Sequence, residues 1–260
     1  MDLQTIKFEV NRDIAYITLN RPKQLNAINR QMINELNEAI DVVEENDEIK
    51  VVIITGNDQV FAAGADIVEI RTYESSKEFL EIVDKGHDVL YRLEQLHKPS
   101  IAVVRGIAYG GGCEISLACD FRIAADNAKF GIPEIKLGLI PGWGGASRLQ
   151  KLLPFPKFKE MLLTGEPISA DEALSLGLVN KVVPLHQALD AGVEFAGKLT
   201  NKSPLTLQAA KRLANAQLNS DLRTGIELEK QTIAVLFGTE DRIEGTTAFV
   251  EKRSPVWRGR

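Results

Sequence analysis

Residues 5–10 and 14–19 alternate apolar and polar positions, and Asn11-Arg12-Asp13 lies between them. A period of two broken by turn residues predicts a β-hairpin. Asn20-Arg21-Pro22-Lys23 ends the second strand, and from about residue 29 to 45 the apolar positions Met32, Ile33, Leu36, Ile40 and Val43 recur at helical spacing. Val51-Val52-Ile53-Ile54 is a continuous β-branched run, the mark of a strand buried on both faces. A glycine-bearing loop over 56–66 follows, then a long amphipathic helix over 76–97 that Pro99 stops. The unit then recurs. Ile101-Ala102-Val103-Val104 predicts a second buried strand, 106–112 a second glycine-rich loop, 113–118 a short helix and 121–124 another strand. Gly131-Ile132-Pro133-Glu134 and Pro141-Gly142-Trp143-Gly144-Gly145 read as further loops that lead into helices, and 179–183 as the last strand.

Beyond Pro184 only helical patterns remain, over roughly 185–200, 204–218, 220–237 and 240–252. Strands alternating with helices over the first 183 residues imply an α/β core with a largely parallel sheet. The helical end carries apolar positions such as Ile226, Ile233, Leu236 and Phe237, which suits a subunit interface. No Pro/Ser-rich or charge-run linker separates the two regions; the expected division is 1–200 for the core and 201–260 for an oligomerisation region.

Composition narrows the function classes. A chain of 260 residues buries about 75% of its extended surface, enough for a large core. The hydrophobic share of 44% and the charged share of 26% are globular. A net charge of −5 argues against general nucleic-acid binding. The longest uncharged stretch, 137–147, has 11 residues, too few to span a bilayer. Met1-Asp2-Leu3-Gln4 does not open a signal peptide, and two cysteines, Cys113 and Cys119, make no disulfide framework, so a reducing cytoplasmic location is expected. Three histidines with one Glu-x-x-His, at Glu94 to His97, provide no metal signature, so no metal is expected.

Several common catalytic signatures are missing. The chain has no phosphate loop of the Gly-x-x-x-x-Gly-Lys type, no dinucleotide fingerprint and no Gly-x-Ser-x-Gly elbow. What remains is two glycine-rich strand-to-helix loops, Phe61-Ala62-Ala63-Gly64-Ala65-Asp66 and Tyr109-Gly110-Gly111-Gly112-Cys113-Glu114. Each puts free backbone N–H groups at a helix N-terminus, where an oxyanion is favoured. Three successive glycines let a ligand carbonyl approach the backbone, although many such loops are simply tight turns. Glu114 comes directly after the triple glycine, and Glu134 sits in Gly131-Ile132-Pro133-Glu134. Two carboxylates in different environments can divide acid and base roles. Each is also accounted for as an ordinary glutamate near a helix start, and spacing does not bring them together.

At these residues the chain resembles the enoyl-CoA hydratase/isomerase (crotonase) superfamily. The resemblance covers almost the whole chain. It runs through Asn20-Arg21-Pro22 with Leu25-Asn26-Ala27, Ala62 to Ile67, Gly110 to Glu114, Cys119-Asp120 and Phe130 to Glu134. It continues through Leu137 to Gly142, Thr164-Gly165, Ala170 to Ala173, Gly177 to Val179 and Ala248 to Arg253. The resemblance implies a spiral of repeated ββα units followed by helices around a trimer axis, with trimers commonly paired as hexamers. It implies an oxyanion hole from the N–H groups of Ala65 and Gly111, which binds an acyl-CoA thioester carbonyl. By the same resemblance, Ala63, Asp66 and Ile67 hold coenzyme A, Leu25 and Ala27 line that channel, and Lys252 or Arg253 meets CoA phosphates, of its own or of a neighbouring subunit. Gly142 and Trp143 fall at the acyl pocket. Coenzyme A enters as part of the substrate, and no separate cofactor is implied.

Hydratases of the superfamily carry glutamate at both positions matched by Glu114 and Glu134, whereas double-bond isomerases generally keep one. The expected reaction is therefore reversible hydration of a trans-2-enoyl-CoA. An isomerase, a hydratase-lyase, a cyclic-dienoyl-CoA hydratase and a non-catalytic acyl-CoA- or RNA-binding relative are the alternatives. The sequence departs from many relatives at Trp143 and Tyr109, where smaller residues or leucine are common. If both line the acyl pocket, their bulk favours a short or flat acyl group.

Overall fold

The computed structural model describes residues 3–260. Strands β1 (Ile6–Asn11) and β2 (Ile14–Leu19) form the hairpin, paired antiparallel from Ile6 opposite Leu19 to Asn11 opposite Ile14. Helix α1 (Arg30–Glu45) starts where the Asn29 side chain accepts the Met32 N–H at 3.0 Å. Strand β3 (Val51–Thr55) follows, then β4 (Val60–Ala62), the short α2 (Ile67–Ile70) and the long α3 (Ser76–Gln95). The pattern repeats with β5 (Ser100–Val104), β6 (Ile107–Tyr109) and α4 (Gly111–Ala118). It repeats again with β7 (Phe121–Ala125) and β8 (Lys129–Gly131), followed by a 3₁₀ turn over Pro133–Leu137. Helices α5 (Gly145–Leu152) and α6 (Phe155–Thr164), strand β9 (Ile168–Ser169), helix α7 (Ala170–Ser175) and strand β10 (Lys181–Val183) complete the core. Helices α8 (Ala188–Thr200), α9 (Pro204–Gln217), α10 (Leu222–Phe237) and α11 (Glu240–Glu251) close the chain.

Two sheets result. The larger has the order β1-β2-β3-β5-β7-β10, parallel from β2 onward, and the smaller has the order β4-β6-β8-β9. Each ββα unit contributes a long strand to the first and a short strand to the second. The larger sheet is buried on both faces, as its β-branched runs require. Val51, Ile53, Ile101, Val103 and Ile123 face α8, whose Ala188, Ala191 and Ala196 pack on them. The alternate residues Val52, Ile54, Ala102 and Val104 face the second core, with α1 and the smaller sheet. A Cβ at Gly192 of α8 would lie 2.5 Å from Val103, so glycine there allows the helix to approach closely.

The long elements fall where periodicity puts them. The segments 56–66, 106–112 and 131–134 read as loops, but they hold β4, β6 and the end of β8. Strands of three residues are too short to show a period of two, and the glycines beside them mask the rest. The ββα repeat implied by the family resemblance is therefore correct where the loop reading is not. No helix among the described residues is long and apolar enough to cross a membrane. Both cysteines are buried thiols whose pKa burial pushes up to about 12, so they serve as small core residues.

Candidate active site

The smaller sheet gathers the site at one edge. β4, β6 and β8 are parallel, with Ala62 beside Ala108 and Tyr109 beside Gly131. Residues leaving the C-terminal ends of these strands therefore emerge next to one another. The loops 63–66, 110–114 and 132–134 meet there although spacing in the sequence does not suggest it. Glycine makes the approach possible. Gly110 has φ +49°, and a Cβ there would lie 2.7 Å from Glu134 Oε1 and 3.5 Å from Gly64 Cα. A Cβ at Gly64 would lie 3.9 Å from the Gly111 nitrogen.

Ala65 and Gly111 each present an N–H with no acceptor among the described residues. Gly111 opens α4, so its N–H is one of the unpaired groups at the positive end of the helix. Ala65 is held by a bridge to Ile28, where the Ile28 N–H donates to Gly64 and the Asp66 N–H donates to Ile28. Asp66 caps α2 through its Oδ1 and pairs with Arg21 through its Oδ2 at 2.9 Å. Its carboxylate is thus committed to fixing the Ala65 loop.

Glu114 lies in the first turn of α4 and is 1% exposed. One carboxylate oxygen accepts the N–H of Trp143 at 2.7 Å and that of Gly145 at 2.8 Å. Burial pushes its pKa up to about 7; the nearby Glu134 pushes it further up, while the two N–H groups and Arg148 pull it down. Glu134 sits on the 3₁₀ turn after β8, partly buried, and burial raises its pKa too. Its Oε2 is enclosed and has no partner among the described residues.

One pocket takes in Glu114, Glu134, Ala65 and Gly111 together with Ala63, Asp66, Ile67, Gly142 and Trp143. Leu25 and Ala27 are not in its wall. The Leu25 carbonyl accepts the Ala63 N–H at 3.1 Å, and Leu25 is half exposed with φ +51°. Lys252 and Arg253 also lie outside it, and Arg253 is paired with Glu244 and Glu251. Tyr109 does not line the pocket either: it belongs to β6, and its ring edge lies against Gly131, 3.4 Å from where a Cβ would stand. Of the two bulky departures, only Trp143 lines the pocket.

Its indole fills a slot between α3 and α4. A Cβ at Gly86 would lie 2.2 Å from Trp143 Nε1, and one at Gly111 would lie 2.5 Å from Cζ3. Phe79, Ile82 and Val83 of α3 continue the apolar wall, and Tyr73 adds an aromatic ring beside Phe79. Sequence reasoning overlooked these α3 residues and Gly86, although an isolated glycine inside a helical pattern signals a close approach.

A fold of this kind, with a backbone-donor pocket flanked by two glutamates, defines a class, and comparison with known proteins specifies it. Residues 9–260 match the enoyl-CoA hydratase/isomerase family. The chain belongs to that family. It is 40% identical over 257 residues to a short-chain-enoyl-CoA hydratase of Clostridium acetobutylicum, covering 97% of each chain. It is 40% identical over 254 residues to a crotonyl-CoA hydratase of Syntrophomonas wolfei, again covering 97% of each. The crystal structure of an enoyl-CoA hydratase from Bacillus anthracis superposes with a TM-score of 0.95 at 38% identity, over 99% of this chain and 100% of that one.

Proposed function

We propose that this protein is an enoyl-CoA hydratase that adds water reversibly to short-chain trans-2-enoyl-CoA thioesters, with crotonyl-CoA as a representative substrate. One observation carries the reading: two carboxylates and two unpaired backbone N–H groups line a single apolar pocket. The relatives named above support the reaction, and the Trp143 indole closing the pocket supports a short acyl group.

In this mechanism Ala65 and Gly111 donate their N–H groups to the thioester oxygen. Polarisation makes C3 electrophilic and stabilises the enolate that forms when water adds there. Each such donor typically contributes about 3 kcal/mol to the transition state. Ionised Glu114 takes a proton from water as its oxygen bonds to C3. Protonated Glu134 delivers a proton to C2, so the net change is one water added across the double bond. Dehydration reverses both roles. The pair thus works with one proton shared between its two carboxyls, and mutual repulsion and burial both oppose ionising the two together.

The 201–260 region is proposed to assemble the protein as a homotrimer or a pair of trimers in the cytoplasm. Exposed apolar side chains on α10 and α11 support the assembly, among them Ile233, Phe237 and Phe249 at 61, 64 and 86% exposure. The deciding experiment adds purified protein to crotonyl-CoA and follows the ultraviolet absorbance of the conjugated thioester. Rapid loss with formation of 3-hydroxybutyryl-CoA is expected. Unchanged crotonyl-CoA, with a 3-enoyl-CoA converted instead, would move the assignment to isomerase.

A further inference from the structure

Arg148 does not line the pocket, yet it grips the turn that holds Glu114. The turn presents three successive peptide groups. The outer two point their N–H groups, from Trp143 and Gly145, at Glu114 Oε1. The middle one points its carbonyl, that of Trp143, the other way, and Arg148 Nη1 donates to it at 2.8 Å. Gly144 between them is in the left-handed region at φ +91°, and a Cβ there would lie 2.5 Å from the same Nη1. The guanidinium is only 13% exposed, and its Nη2 pairs with Glu94 of α3 at 2.9 Å. The backbone carbonyl of Glu94 in turn accepts from Asn215 on α9 at 3.1 Å.

Resting on the reading of Glu114 as the base, we propose that Arg148 is a positioning residue for hydration: it fixes the 143–145 turn so that both N–H groups meet Glu114, with its cationic guanidinium bonded to the Trp143 carbonyl of that turn. The surroundings make Arg148 the cation suited to this role. Glu134 faces Glu114 across the pocket and opposes its ionisation. Cys113 on the same helix is a protonated thiol. His87 and Glu94 approach from α3 on the far side of the turn, where Glu94 is engaged by Arg148 itself. A purely structural arginine would hold the turn; this one also acts on the carboxylate through it.

The test compares wild type, Glu114→Gln, Arg148→Met, Arg148→Lys and Glu94→Gln, all judged for folding by circular dichroism and assayed with crotonyl-CoA across pH. Glu114→Gln checks the underlying reading alone: near-normal hydration in that variant overturns both proposals. With that variant inactive, Arg148→Met is expected to lower kcat about 10–100-fold, with KM within about two-fold of wild type. Its pH–rate profile is expected to move to higher pH by about half a unit or more, because a cation that favours the carboxylate is gone. Arg148→Lys keeps the charge and loses the two-armed grip, so kcat falls with the profile near its wild-type position. Glu94→Gln frees the Arg148 charge from its partner, so the profile stays or moves to lower pH. An unmoved profile in Arg148→Met overturns the proposal, and so does the same upward shift in Glu94→Gln. Should Arg148→Met fail to fold, the Lys and Gln variants still decide: an upward shift in either is incompatible with the proposal.

Discussion

Glu114 and Glu134 share a pocket but stand on different ground. Glu114 grows from a helix buried along its whole length, and two backbone N–H groups grip one of its oxygens. Glu134 projects from a 3₁₀ turn with no buried residue, and one of its oxygens has no partner among the described residues. The first carboxylate is held by two backbone donors, and the second has an enclosed oxygen that no donor holds. That division suits the chemistry proposed. A base must fix a water molecule against C3, whereas an acid must follow C2 as the carbon changes from planar to tetrahedral. Burial raises the pKa of both, Glu114 to about 7, and they differ further in that only Glu114 is held by backbone donors.

The largest test removes each carboxylate in turn. Glu114→Gln and Glu134→Gln are each expected to lower kcat for crotonyl-CoA hydration by about 10²–10⁴-fold while the protein stays folded. Solvent-deuterium exchange at C2 of a saturated acyl-CoA then separates them. Glu114→Gln keeps exchange because Glu134 still reaches C2, and Glu134→Gln loses it. Equal loss of exchange in both variants would break the division of roles.

A milder pair of substitutions presses on each side chain without removing it. A Cβ at Gly145 would lie 2.9 Å from Glu114 Cγ, and Glu114 has no room to retreat. A Cβ at Gly110 meets the carboxyl end of Glu134 at 2.7 Å, and φ +49° there strains any other residue. Gly145→Ala is therefore expected to lower kcat about 10-fold or more with little change in melting temperature. Gly110→Ala is expected to cost about 1–3 kcal/mol of stability and to lose less activity. If the two patterns were exchanged, the contrast between a carboxylate held by backbone donors and one without them would be wrong.

Much of the scaffold around these groups is legible in the chain. The β-branched runs of β3 and β5 and the periodic apolar positions of α1 and α3 are long enough to declare themselves. The smaller sheet is not legible, because its strands of two or three residues are shorter than the period that would reveal them. Yet that sheet assembles the site, since the parallel register of β4, β6 and β8 decides which loops emerge together. The identity of Glu114 and Glu134 as candidates came from the glycine-rich motifs. Their meeting in space is a property of strand register, which no local spacing encodes. Arg148 escaped notice for the same reason: its partners, Trp143 and Glu94, are on a turn and on a distant helix.

Trp143 contributes to the held side twice, through its N–H on Glu114 and its ring in the Gly86–Gly111 slot. Trp143→Ala separates the two contributions, because the backbone donor survives while the ring is lost. The ratio of kcat/KM for a trans-2-octenoyl thioester to that for crotonyl-CoA is expected to rise about 10-fold, as a pocket methylene is worth roughly 1–3 kcal/mol. An unchanged ratio would mean that something other than the indole limits the acyl chain.

The smallest expected effect is thermodynamic and reads the same contrast through stability. Glu114 titrates near pH 7 in the folded protein, above the ordinary carboxylate value of about 4.3 that it has when unfolded. Between those two values the folded state binds more protons than the unfolded state, so stability falls as pH rises through that window. Above it the folded protein carries the full cost of an ionised buried carboxylate, at most about 4 kcal/mol. Glu114→Gln removes that titration. The melting temperature of the variant minus that of wild type should therefore grow between pH 5 and pH 8, at about 2–4 °C per kcal/mol. Glu134→Gln should show the same sign with a smaller gap, because its carboxyl is only partly withdrawn from water. Scanning calorimetry of the three proteins at both pH values decides it: a difference that stays constant with pH for Glu114→Gln would mean that the buried carboxylate is ionised at no cost to the fold.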